Sequence, residues 1–132
     1  FISYGDNNRT SMVRIPYGHL ELRLADSCCN PYLAGAAMVA AGLDGIENEI
    51  DPGPPQNVNF YEMSDKDLRK NKIKLLPQNL GEALDALDAD KFFAEALGPE
   101  IIGEFLKVKR MEWIEYSRHV SDWEVDRYLE FY

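Results

Sequence analysis

A chain of 132 residues has room for one domain with a modest hydrophobic core. Its 45% hydrophobic and 28% charged residues are ordinary for a soluble globular protein. The formal net charge of -9 argues against nucleic acid and anionic membrane as partners. Because it begins at Phe1, without a signal-like segment, we expect a processed or excised piece of a longer chain.

Residues 1–8 carry little pattern, and Gly5, Asp6, Asn7 and Asn8 read as a loop with Arg9 at its end. Two alternating runs, residues 11–15 and 20–24, flank Pro16, Tyr17 and Gly18, which predicts a β-hairpin. With Tyr17 and Gly18 as a two-residue loop, Ile15 faces Leu20, Arg14 faces Glu21, Val13 faces Leu22 and Met12 faces Arg23. Side chains alternate along a strand, so Val13, Ile15, Leu20, Leu22 and Leu24 share an apolar face that should pack. The opposite face carries Arg14, His19, Glu21 and Arg23, and is either solvated or chemically active. Pairing of Arg14 with Glu21 reads at its simplest as a cross-strand salt bridge. Arg9, Arg14 and Arg23 stand close together in an acidic chain, a basic pocket suited to a small anion.

Cys28 and Cys29 are adjacent and have no second pair, so no metal-knuckle spacing exists. They read as reduced, packed thiols of a cytoplasmic protein. Asn30 is a favoured helix cap and Pro31 suits the first helical position. Only Asp44 is charged between residues 32 and 46, which predicts a buried helix over 31–46. It falls short of the roughly 20 residues that span a membrane. Its small residues, among them Gly35, Ala37 and Gly42, should let neighbours pack close, so Ala37→Leu should overpack.

Asp51, Pro52, Gly53, Pro54 and Pro55 mark a stiff loop, and Phe60 and Tyr61 sit in the short segment after it, where Tyr61 reads as a packed or loop tyrosine. The helical remainder spans 64–132. Ser64 caps a helix through Lys70, and Asn79 with Glu82 has capping-box spacing ahead of Leu80, Leu84 and Leu87. Asp85, Asp88 and Asp90 resemble a metal cluster, but their spacing leaves them on a solvated face. Gly98 ends a helical turn, and Pro99 opens a long helix with Ile102, Phe105, Leu106 and Trp113 toward the core. His119 suits that helix's negative end. Ser121 and Glu124 form a capping box for a last helix, whose stripe of Val125, Tyr128, Leu129 and Tyr132 should dock onto something.

Five short blocks stand in a particular order: Asn8-Arg9-Thr10-Ser11, Arg14-Ile15-Pro16, Glu21-Leu22-Arg23, Asn30-Pro31-Tyr32 and Gly42-Leu43-Asp44-Gly45-Ile46. In that order they resemble the C-terminal part of the glutamine synthetase catalytic domain, and the resemblance runs through Tyr61 to the last helix. It implies an α+β fold, a short antiparallel hairpin plus several helices, with residues 1–132 as one fragment of that domain. It also implies an ATP-dependent ligase that makes glutamine from L-glutamate and ammonia through a γ-glutamyl phosphate, with Mg2+ or Mn2+. On this resemblance Glu21 matches a metal ligand, and Arg9 and Arg23 match arginines on glutamate and the transferring phosphoryl group. Arg14 matches a residue on the ATP phosphates, and His19 stands where an arginine near the nucleotide is common. Tyr61 matches a tyrosine that some bacterial members adenylylate, although Phe60 and Glu62 flank it here.

The Asn-Asn-Arg-Thr and Arg-Ile-Pro-Tyr-Gly variants resemble the type III-like branch, which includes γ-glutamylmethylamide synthetases, so methylamine stands beside ammonia as the acceptor. Most of the family's metal ligands lie upstream of the matching region, so the piece alone should be inactive. The resemblance further implies a cytoplasmic homo-oligomer, a dodecamer in the parent, with the last helix at a subunit contact. The alternative from another class is a non-catalytic interaction module that keeps the fold.

Overall fold

Three strands of two residues each, β1 (Tyr4–Gly5), β2 (Val13–Arg14) and β3 (Glu21–Leu22), form a sheet in that order. The structure, a computed structural model, describes residues 1–131. Strands β2 and β3 pair antiparallel with Val13 opposite Leu22 and Arg14 opposite Glu21, the register that a two-residue loop dictates. The turn closes through the His19 amide, which donates to the Pro16 carbonyl at 3.4 Å. Gly18 holds φ +87°, a conformation that a side chain would oppose.

Two expectations for this region change. Residues 1–8 are not all loop, because β1 lies parallel to β2, with Tyr4 beside Val13 and Gly5 beside Arg14. A two-residue strand has no periodicity to read. Distant backbone partners recruit it: Val13 N donates to Ser3 O at 3.1 Å, and Gln56 N to Tyr4 O at 2.7 Å. The hairpin's apolar face also stays open, with Ile15, Leu20 and Leu24 exposed and Val13 and Leu22 only partly covered.

Helix α1 (Pro31–Glu47) starts where its cap requires. Asn30 Oδ1 accepts from the amides of Tyr32 and Leu33 at 3.0 and 3.2 Å, and Pro31 opens the first turn. The expected burial over 31–46 is overturned, for no residue of α1 is buried. A Cβ placed on Gly35, Gly42 or Gly45 would meet nothing within 4 Å, and Ala37 is only half-buried, so the overpacking expected there has nothing to act against. Apolar composition calls for a partner surface, yet within the first unit the residues of α1 are at most partly covered. Cys28 and Cys29 are unpaired, and both are exposed rather than packed.

The core of this first unit (Phe1–Gln78) is small: Phe60, 1% exposed, and Leu68. Phe60 opens a 3-10 turn (Phe60–Glu62) and stacks on the Phe1 ring with centroids 5.0 Å apart. Leu68 lies on α2 (Asp65–Lys70), which Ser64 caps by accepting from the Asp67 amide at 3.2 Å.

The second unit, from Asn79 onward, is helical: α3 (Leu80–Ala89), α4 (Lys91–Leu97), α5 (Pro99–Arg118) and α6 (Asp122–Tyr128). Asn79 caps α3 as its spacing predicts, accepting from the Glu82 amide at 2.9 Å. Leu84 and Ile102 are its buried residues among those described. Gly81 lets the Trp113 indole approach, since a Cβ there would fall 2.7 Å from its Nε1. The acidic residues on α3 and just after it do more than meet solvent. Asp85 and Asp88, one helical turn apart, hold the Arg110 guanidinium at 2.9 and 3.0 Å, and Asp90 caps α4 through the amides of Phe92 and Phe93. On α6, Trp123, Val125, Tyr128 and Leu129 are all exposed, while Tyr132 lies outside the described residues. Among the described residues no helix is long and apolar enough to cross a membrane. The architecture is α+β, a small sheet followed by helices.

Candidate functional site

Cross-strand pairing sets Arg14 directly opposite Glu21, and the period of two along β3 puts Arg23 on the same face. The three side chains meet at one atom. Glu21 Oε2 accepts from Arg14 Nη1 at 2.9 Å and from Arg23 Nη1 at 3.5 Å. Arg14 is held from its other side as well, its Nε donating to Asn7 Oδ1 at 2.9 Å. Desolvation pushes the Glu21 carboxyl up, but the charges and hydrogen bonds of Arg14 and Arg23 outweigh it and hold it below the usual carboxylate range. Glu21 is therefore ionised at neutral pH. Its Oε1 has no protein partner among the described residues.

Arg9 differs from these two arginines. It is exposed, and among the described residues its guanidinium makes no hydrogen bond or ion pair. It borders an open hollow of about 460 Å³ lined by residues 6–10 and 57–59. His19 is exposed beyond the hairpin turn, with no side-chain partner among the described residues. Tyr61 is 77% exposed on its 3-10 turn, touching the Phe1 ring edge-on at 5.9 Å, so it is a surface loop tyrosine and not a packed one. Of the six residues singled out in the sequence, the structure joins Arg14, Glu21 and Arg23 through direct contacts. It leaves Arg9, His19 and Tyr61 outside that contact set.

The sequence reads Asn7 and Asn8 as loop residues and does not single out Asn57. Each uses its side-chain amide to fix this region, but asparagine is so common in loops that composition alone does not single it out.

A cluster of fixed guanidinium forks suits a phosphate or carboxylate, which each fork can grip with two parallel hydrogen bonds. A divalent cation is a different matter. Glu21 offers one carboxylate between two cations, whereas Mg2+ needs about six oxygen ligands. Among the described residues, no group of three or more His, Cys, Asp or Glu could hold a metal. These residues by themselves do not make a metal centre.

Residues 1–128 match the family model described as the glutamine synthetase catalytic domain. The chain is 60% identical over its 132 residues to the glutamate–methylamine ligase of Methyloversatilis universalis, covering 100% of this chain and 30% of that protein. It is 47% identical over 134 residues to the glutamine synthetase of Methanosarcina mazei, covering 98% of this chain and 30% of that one. A solved structure of apo GmaS without ligand matches with a TM-score of 0.80 and 44% identity, over 97% of this chain and 30% of that chain. The chain thus spans about 30% of the length of the relatives it matches. With the hairpin register, the guanidinium–carboxylate cluster and a match over nearly every residue in agreement, this chain belongs to the glutamine synthetase family, within its catalytic domain.

Proposed function

We propose that this chain is the phosphate-handling part of an ATP-dependent glutamate–amine ligase. The observation that carries the reading is the meeting of two arginines at Glu21, Arg14 from across the hairpin and Arg23 from two residues along the chain. In such a reaction an oxygen of the glutamate γ-carboxylate attacks the γ-phosphorus of ATP, and the bond to the β-phosphate oxygen breaks. ADP leaves, and a γ-glutamyl phosphate remains. The amine nitrogen then attacks the acyl carbon, inorganic phosphate departs, and the nitrogen loses a proton. Two anions must meet in the first step, so pre-placed cations stabilise it most. Arg23 and Arg9 serve the carboxylate and the transferring phosphoryl group, and Arg14 the ATP phosphates. His19, whose ring is unengaged, lies within reach of the nucleotide on this reading. Glu21 fixes both of its arginines and supplies one oxygen toward a divalent cation, whose remaining ligands come from the rest of the parent.

The 60% identity with a methylamine ligase favours methylamine as the amine. Ammonia, giving glutamine, is the second reading, supported by the 47% identity with a glutamine synthetase. The exposed stripe of α6 supports a contact between subunits of a homo-oligomer, which the solution mass of the full-length protein lacking residues 121–132 would reveal. Tyr61, well exposed, is open to modification, and incubating the full-length protein with an adenylyltransferase and reading its mass tests this.

The central test is direct. The full-length protein, given glutamate, ATP and Mg2+ with either amine, should release phosphate and form a γ-glutamyl amide, while the 132-residue piece should form none. Arg23→Lys keeps the charge but loses the fork, and should lower turnover on the order of 10²-fold. Full turnover in Arg23→Lys, or product from the piece alone, would overturn the assignment.

A further inference from the structure

Arg14 and Arg23 are fixed by their own side-chain partners, but Arg9 has none among the described residues. Its place is therefore set by the backbone on either side, which the residues next to it tie down. Asn8 uses its whole amide. Its Nδ2 donates to the carbonyls of Gln56 at 2.8 Å and Val58 at 2.7 Å, and its Oδ1 accepts from the Thr10 amide at 2.9 Å and hydroxyl at 2.7 Å. Thr10 Oγ1 accepts in turn from the Phe60 amide at 3.2 Å. One more strap completes the tie: Asn57 Oδ1 accepts from the Asp6 amide at 2.9 Å, and Asn57 Nδ2 donates to Asp6 Oδ2 at 2.7 Å. Every one of these contacts except the Asn8–Thr10 pair joins segments some fifty residues apart, with separations of 48 to 51.

We propose that Asn8 and Asn57 are positioning residues for Arg9: they lash its loop to the backbone of residues 56–58, which lies opposite and itself bears none of the charged groups of the site. Gly5 fits the same purpose. A Cβ there would lie 2.8 Å from Asn8 Cβ and 2.9 Å from Asn57 Oδ1, so only glycine lets the two segments close to this distance. An arginine that must meet a transferring phosphoryl group tolerates little error, because misplacement by about 1 Å can cost on the order of 10²-fold in rate. The proposal rests on the reading of Arg9 given above.

A double-mutant cycle in the full-length protein tests it, with phosphate release as the readout. Asn8→Ala should lower kcat by roughly 10- to 100-fold. In an Arg9→Ala background the same change should cost less than about twofold, because the side chain it positions is gone. Equal losses in both backgrounds would mean that Asn8 serves stability alone, and would overturn the proposal while leaving the reading of Arg9 intact. Undiminished kcat in Arg9→Ala would overturn that reading, and the proposal with it. Should Asn8→Ala not fold, Asn57→Ala, which releases only the Asp6 strap, carries the same cycle with the same opposing outcomes.

Discussion

The two units of the chain are held by different physics. In the second unit, order comes from helices with caps close in sequence, and from apolar contacts between α3, α4 and α5 around Leu84 and Ile102. In the first, a sheet of two-residue strands and a core of Phe60 and Leu68 would be marginal alone. There the chain depends on side-chain amides that reach backbone carbonyls about fifty residues away. The difference matters for function. The loop that must hold charged groups still is the one braced by directional hydrogen bonds, whereas the helical unit presents none of the proposed site residues. Directional contacts fix a loop's geometry, and apolar contacts mainly fix the proximity of its elements.

The sharpest way to break this contrast is to remove one core side chain from each unit. Phe60→Ala removes the ring that stacks on Phe1 beneath the Thr10 tie, and should cost about 3–5 kcal/mol. Leu84→Ala should cost about 2–5 kcal/mol. Denaturant unfolding gives the sizes, and amide exchange of the full-length protein gives the places. After Phe60→Ala, protection should fall over residues 4–15 and 53–60. If those segments kept their protection, the amide straps would suffice without the core.

Next in size is Gly5→Ala, which forces a methyl group between the two strapped segments and should cost about 1–3 kcal/mol. Accelerated exchange at the Gln56 amide, which donates to Tyr4 O, would report that the strap has opened. Unchanged exchange there would mean the segments can part without losing order.

The smallest effect belongs to α6. Glu124 Oε2 accepts from the Ser121 amide and hydroxyl, both at 2.8 Å, and lies near the charge of His119. The Ser121 amide, then its hydroxyl, hold the Glu124 carboxyl below its ordinary 4.5 against an opposing desolvation. Its folded pKa is depressed, so this stabilisation is complete above the unfolded value and is lost as pH falls through the folded one. Protection factors over residues 121–128 should therefore decline below pH 4.5 in the natural protein. In Glu124→Gln this decline should be absent. An identical decline in both would remove the capping box from the explanation.

Much of the molecule is legible in its residues one at a time. The caps at Asn30, Ser64, Asn79 and Ser121 lie where their spacing predicts, because each involves only a side chain and amides two or three residues on. The hairpin register is legible for the same reason, and with it the meeting of Arg14, Glu21 and Arg23. The family is legible too, from the order of its short blocks. Tertiary structure alone decides what the local pattern does not reach: strand β1, the Arg110 fork on Asp85 and Asp88, and the Asn8 and Asn57 straps. It also decides what remains uncovered. The composition of α1 calls for burial, but burial is a property of two surfaces, and within the first unit the residues of α1 are at most partly covered.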